Sequence, residues 1–272
     1  MKPIQNYFIA VFILLILLNT TYSLDLPPLK PRVLLISDGE FLRYDIFIAG
    51  EKYQDVNIVS RISEDSNYIS VYIGKHNMNS RYPMPKHYTN YQRQFIIDLK
   101  TGSLIKSFGD YIAQYKLDNR NGEAYFSLEI DTNNNIANYI AKFWDGYEFM
   151  QKTSRVPLKK GYPAWDIPSI AFVGSRYMDI NGNGMLYGVV PAYVKEAVPV
   201  VGRVIKKEVV VTSAGKFNTI KYGVGIPNAF LAQLLETYVK ELYLWLEDSP
   251  RSLVIKTTTP DETYLLKEVS NW

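Results

Sequence analysis

Residues 41–48 read FLRYDIFI and residues 67–73 read NYISVYI. In the first stretch Leu42, Tyr44, Ile46 and Ile48 fall on one face of an extended chain, because successive strand side chains point to opposite sides. The second stretch alternates likewise, and Gly50-Glu51 marks a turn between them, with Val56 and Ile58 continuing the pattern. Moving outward, residues 75–90 (KHNMNSRYPMPKHYTN) are polar and broken by Pro83 and Pro85, which predicts a long loop. Strands are expected again at 91–99 and 101–107, which meet at Lys100-Thr101-Gly102, and at 124–131 and 136–144, which flank Asn133-Asn134-Asn135. Asparagine tolerates left-handed backbone, so the triple Asn is a natural turn. A further pair at 198–212 and 216–224 is joined by Ser213-Ala214-Gly215, and strand-like segments at 238–247, 251–258 and 262–269 end the chain. The 22 Tyr, 12 Phe and 4 Trp suit a pleated sheet. The chain is therefore expected to be mainly β.

One stretch breaks this pattern. Trp165-Asp166-Ile167-Pro168-Ser169, followed by Ile170, Val173 and Tyr177, has helical spacing. A helix over about 167–178 is predicted, with Asp166 as its N-cap and Trp165 and Ile170 stapled across the cap. Gly174 weakens that helix by about 1 kcal/mol relative to alanine. Residues 228–246 mix both periods and are read as a short helix or loop followed by a strand.

Residues 8–18 (FIAVFILLILL) form an apolar run preceded by Lys2 and followed by Asn19-Thr20-Thr21-Tyr22-Ser23. The run is too short to span a bilayer, and the small residues suit cleavage before Leu24. Residues 1–23 are thus expected to be a signal peptide, with an uncleaved anchor as the alternative, and 24–272 one β-rich domain without a membrane span. Export without cysteine, and without an Asn-x-Ser/Thr sequon after residue 23, fits the periplasm or envelope of a bacterium.

The absence of cysteine excludes disulfides, thiolate catalysis and thiolate metal sites. With 30 Lys plus Arg against 27 Asp plus Glu, a net charge of +3 over 272 residues is too weak for a phosphate-binding stripe, so nucleic acid is not an expected partner. No cofactor is called for. Asp179-Ile180-Asn181-Gly182-Asn183-Gly184 opens like a calcium loop, but its twelfth position is Val190 instead of a bidentate Glu, and a turn is the better reading. His76 and His87, the two histidines, share the 75–90 loop with nothing to fix their geometry. There is no Gly-x-Ser-x-Gly elbow, and among the carboxylates no pair stands out for glycosidase chemistry. Arg176 is the candidate binding residue: its planar fork either meets an anionic ligand in a cavity or fastens the helix to the sheet. The aromatic residues of alternate strand positions either fill a core or line a lipid-holding concave sheet.

Gly39-Glu40-Phe41-Leu42-Arg43-Tyr44-Asp45-Ile46 carries the pattern Gly-Glu-x-Leu-x-Tyr, and Trp165-Asp166-Ile167-Pro168-Ser169 is followed by Arg176. Thr212-Ser213-Ala214-Gly215-Lys216-Phe217-Asn218-Thr219-Ile220-Lys221 is a small-residue, Gly, aromatic hairpin, and Leu244-Trp245-Leu246-Glu247-Asp248-Ser249-Pro250-Arg251 is a closing Trp and Asp turn. In this order these segments resemble a family of exported bacterial proteins, domain of unknown function 3108, over about residues 37–270. The resemblance implies a strongly curved antiparallel sheet, open or a half-barrel, with a short helix packed against it. It implies no activity. The plan is also loosely similar to periplasmic carriers of lipoproteins.

The expectation for function is an exported, non-enzymatic envelope protein that binds a hydrophobic or amphiphilic ligand, such as a lipid, or an envelope partner. The alternatives are a carboxylate-dependent hydrolase of envelope glycans and a structural scaffold that pairs through a strand edge. An aliphatic cavity would favour the carrier, inward paired carboxylates the hydrolase, and a filled core with a bare edge the scaffold.

Overall fold

A computed structural model of the chain describes residues 27–271 apart from 31, 33–35, 77–90, 115–120, 145–148, 167–169, 178, 180–184, 190–196, 226–241 and 260–261. Among the described residues fifteen strands make one sheet. They are β1 (Glu40–Ile48), β2 (Glu51–Ile62), β3 (Tyr68–His76), β4 (Tyr91–Asp98), β5 (Leu104–Gln114), β6 (Asn121–Asp131), β7 (Ile136–Trp144) and β8 (Phe149–Pro157). After them come β9 (Ala164–Asp166), β10 (Met185–Val189), β11 (Val198–Thr212), β12 (Gly215–Gly225), β13 (Leu242–Glu247), β14 (Val254–Thr258) and β15 (Glu262–Asn271). Between β9 and β10 a π-helical turn, Ile170–Gly174, runs into one α-helical turn, α1 (Ser175–Tyr177).

The spatial order is β8-β7-β6-β5-β4-β3-β2-β1-β15-β14-β13-β12-β11-β10-β9. Two meanders therefore grow outward from a seam where the first strand pairs with the last, Leu42 opposite Val269 and Ile46 opposite Tyr264. Every pairing is antiparallel except β9 with β10, which the helical crossover makes parallel. Consecutive strands are neighbours throughout except β8 and β9, which end the sheet on opposite sides and leave it unclosed. A twisted sheet of this width cannot stay flat. Bulges in β1, at Arg43/Tyr44 against β15 and at Ile46/Phe47 against β2, add to its coiling.

The alternation read from the sequence sets the core. Leu42, Tyr44 and Ile46 of β1 are buried together with Val56, Ile58, Ile69, Val71, Phe95, Ile97, Leu128, Tyr222, Leu244 and Leu266 of the neighbouring strands. Ile48, at the strand's end, is only half-buried. Asn135 adopts φ +52° in the Asn-rich turn, and the Asp131 carboxylate accepts from the backbone N–H groups of Asn133 and Asn134 at 3.1 and 3.0 Å.

Several expectations change. Lys75 and His76 belong to β3 instead of a loop, and 77–90 lie outside the described residues. β8 falls in a stretch from which no strand was expected. β14 begins later than predicted, at Val254, and β13 is described from Leu242, with 238–241 outside the described residues. Of the predicted helix the described residues show 170–177, where 170–174 form a π turn in place of regular α-helix, and 167–169 and 178 lie outside them. Gly174 gives the physical reason: a Cβ built there would lie 2.9 Å from Cδ2 of the Trp165 ring. The indole therefore lies almost against the backbone of the turn, stacked with the Tyr177 ring at 6.4 Å between centroids. Helix propensity alone makes Gly174→Ala stabilising. The packing makes it destabilising by about 1–3 kcal/mol, and a chemical-denaturation comparison with the wild type checks the sign.

Candidate functional site

The polar centre of the molecule is built from β1 and α1. Glu40 opens β1 after Gly39, whose φ is +77°. It shares the parity of Leu42 and Tyr44, so its carboxylate is carried to the buried face, 4% exposed. Arg176, 2% exposed, meets it there: Nη1 donates to Oε1 at 2.7 Å and Nη2 to Oε2 at 3.2 Å. Nη2 also donates to the carbonyl of Arg251 at 3.3 Å. Burial works against the guanidinium charge, but Glu40 more than restores it and holds the Arg176 pKa above its ordinary value. Nearby, Tyr44 Oη donates to the Val254 carbonyl at 2.8 Å. Burial pushes the Tyr44 phenol up and raises that of Tyr177 to about 12, so both stay neutral. Four buried polar atoms on this stretch, Trp165 Nε1, Ser175 Oγ, Arg176 Nε and Tyr177 Oη, have no hydrogen-bond partner among the described residues.

Residues 27–32 strap across this centre. The Leu29 N–H donates to the Met185 carbonyl at 3.0 Å, and the Arg32 N–H to that of Tyr177 at 2.9 Å. The Arg32 side chain lies 3.7 Å from Asp179 and donates to Ser252 Oγ. Here a depression of about 470 Å³ is lined by Arg32, Asp179, Ile220, Glu247, Asp248, Ser249 and Pro250. Three of these are carboxylates, and each faces a cation: Arg32 for Asp179, Arg251 for Glu247 at 2.8 Å, Lys207 for Asp248 at 2.7 Å. Its lining is charged, which does not suit an acyl chain. Among the described residues no group of acidic or histidine side chains gathers to hold a metal, and no helix is long and apolar enough to cross a membrane.

A second network lies on β1, β2 and β15. Asp55, buried, is bonded by Arg43 and by Lys52 at 2.9 Å, while Asp45 holds Lys52 at 2.6 Å and Lys267 at 3.3 Å. Burial alone would raise the Asp55 carboxyl, but the Lys52 and Arg43 donors that hold it keep it well below the usual carboxylate range.

The third feature is an edge. β10 covers β11 only over Val198–Val201, while β12 pairs with β11 from Val201 to Thr212. Beyond Val201 one side of β11 has no strand beside it among the described residues. The register places Lys207, Val209 and Val211 on one face with Lys216 and Asn218, and Val209 and Val211 are 50% and 70% exposed.

Of the residues singled out from the sequence, Arg176 meets an anionic group, and that group is the chain's own Glu40. Both terminal nitrogens of its fork are taken by the Glu40 carboxylate, with which an anionic ligand would have to compete. Asp166 lies in β9 with its backbone opposite Val189, and its side chain and 167–169 lie outside the described residues, as does the predicted cap. His76 sits opposite Asp55 in register, with its side chain outside the described residues, and His87 is outside them altogether. Asp179 faces Arg32, and 180–184 are likewise outside. Glu40, Arg32 and Asp55 were missed. The signal for Glu40 was its parity, since a carboxylate on the inward face of a strand requires a cation.

No family model matches the chain, and no curated protein matches it. The likeness to domain of unknown function 3108 therefore remains one of motif order. Among solved structures the chain is similar to a β-barrel-like protein of domain of unknown function 1849 from Brucella abortus, with 10% identity, 90% of this chain and 99% of that one covered, and a TM-score of 0.47. It is also similar to a candidate exported protein with a YmcC-like fold from Bacteroides fragilis, with 10% identity, 90% and 100% covered, and a TM-score of 0.34. A candidate lipoprotein from Parabacteroides distasonis gives 10% identity, 89% and 99% covered, and a TM-score of 0.32.

Two outcomes are expected. Glu40→Gln strands a buried guanidinium and should cost about 3–5 kcal/mol, whereas the double change Glu40→Leu with Arg176→Met should cost much less, as measured by urea unfolding. Because the Asp55 pKa is depressed on folding, its contribution is complete above the unfolded value near pH 4 and is lost as pH falls below it. Asp55→Asn should therefore flatten the acid side of a stability profile between pH 7 and pH 3.

Proposed function

We propose that this chain is an exported, non-enzymatic protein of the bacterial envelope that works as a scaffold, pairing with another protein through the free edge of β11. The observation behind this reading is the contrast between the sheet's ends. β8, the outer strand of one meander, carries Lys152, Arg155 and Pro157, residue types that discourage edge pairing. β9, at the other end, is three residues long. Val204, Ile205, Val209 and Val211 are exposed on the 15-residue β11, whose one side has no strand beside it beyond Val201 among the described residues. An edge of this length and composition is a template for strand addition.

The rival roles have less support. Carriage of an amphiphile needs an apolar lining, and among the described residues the inward Leu, Ile, Tyr and Phe side chains pack against one another in one cluster. A glycan hydrolase needs a carboxylic acid and a carboxylate flanking one bond. The carboxylates of the depression instead each face a cation.

The chain purified from a bacterial envelope should show the same native mass before and after organic extraction. An extractable apolar mass would move the assignment to a carrier. A photo-crosslinking residue at Val211 should yield a protein adduct in the envelope, and one at Arg155 should not. Equal adducts at both edges would remove β11 as the binding surface.

A further inference from the structure

We infer that the strand received by β11 is an acidic segment of another protein, with acidic and β-branched residues alternating; this rests on the edge-pairing reading above. From Arg203 to Asn218 the β11–β12 ribbon has four cations, Arg203, Lys206, Lys207 and Lys216, against one carboxylate, Glu208. Glu208 is already committed: it accepts from Trp245 Nε1 at 2.6 Å and pairs with Lys206 at 2.8 Å. Lys207 is held by Asp248 at 2.7 Å, yet its side chain is 71% exposed. Arg203 and Lys216 are exposed and have no ion-pair partner among the described residues. The ribbon therefore carries uncompensated positive charge at Arg203, on the face opposite Val209 and Val211, and at Lys216 of β12, with Lys207 exposed between them in its pair with Asp248.

The register makes the requirement specific. Lys207, Val209 and Val211 lie on one face, and Lys216 sits opposite Val211. Directly opposed side chains of neighbouring strands share a face. An added strand thus sets an acid beside the exposed Lys207, which it would share with Asp248, and β-branched residues beside Val209 and Val211, two residues apart. A second copy of the chain would instead bring the same basic stretch of β11 alongside itself, and like charges facing each other across a pair are unfavourable.

The test uses the full mature chain with three capped nine-residue peptides: one alternating Glu with Val and Thr, one with Lys in place of Glu, and one interrupted by Pro. Fluorescence anisotropy reads binding, and hydrogen exchange reads protection over residues 203–212. The expected result is that the acidic peptide protects β11 and binds at least about tenfold tighter than the basic one, with the preference fading in salt. It should reverse in the double variant Arg203→Glu with Lys216→Glu, whose surface positions leave folding intact. Equal binding of the acidic and basic peptides would overturn the charge requirement and leave edge pairing standing. Self-association of the unliganded chain with protection of 203–212, in sedimentation and exchange, would replace the acidic segment by a second copy. Slow exchange over 203–212 in the unliganded monomer, with no peptide bound, would overturn the edge reading itself.

Discussion

The ion pair between Glu40 and Arg176 is the contact on which the arrangement of this sheet depends. Glu40 belongs to the seam where the first and last strands meet, and Arg176 to the crossover at the far end of the second meander. Seven strands separate them across the sheet, counted from β15 through β9, so the two come within 2.7 Å only if the sheet rolls back on itself. Burial makes the demand absolute. A guanidinium removed from water without its counter-ion costs about 3–5 kcal/mol, a large part of the roughly 5–15 kcal/mol that an ordinary domain has to spare. Uncurled states of the sheet are therefore disfavoured by charge as well as by exposed apolar area.

The same logic orders the surroundings. Arg176 extends its second nitrogen to the Arg251 carbonyl, and Tyr44 donates to the Val254 carbonyl, so the turn between β13 and β14 is fixed to the seam on both sides. Arg32 reaches that turn from outside, through Ser252, while its backbone is bonded to Tyr177. α1 alone, at three residues, is too short to hold its own geometry. It is held by the strap, the stacked Trp165 ring and the Glu40 carboxylate, which together do what a longer helix would do by its internal hydrogen bonds.

Much of this was legible in the sequence. The period-two alternation located β1, β3, β4, β6, β7, β11 and β12, and the Asn-rich turn and the Ser-Ala-Gly hairpin fell where expected. These are signals of nearest neighbours, which a single chain displays directly. What was illegible is of longer range. Nothing near Arg176 in the sequence announces a partner 136 residues away, and helix propensity at Gly174 omits the indole that lies on the glycine. β8 escaped notice because its exposed polar residues, Gln151, Thr153 and Arg155, give an edge strand too little contrast between its faces. That one side of β11 beyond Val201 has no strand beside it among the described residues could not be read at all, since whether a strand is covered is a property of topology.

That edge is also the one place where the fold departs from its own economy. A sheet of this width has two ends to protect, and one is blunted by charge and Pro while the other is kept to three residues. The long hairpin of β11 and β12 lies inside the strand order. Among the described residues β10 pairs with β11 up to Val201, residues 180–184 before it lying outside them, and Val204, Val209 and Val211 are exposed beyond that point. The ribbon is well supported from the other side: Trp245 holds Glu208, Lys221 lies over the Tyr243 and Trp245 rings at 4.4 and 4.6 Å, and Phe217 is buried. A strand so firmly built and so little covered has a surface pre-organised to receive another strand, since the cost of ordering its backbone is met within the fold before any partner arrives.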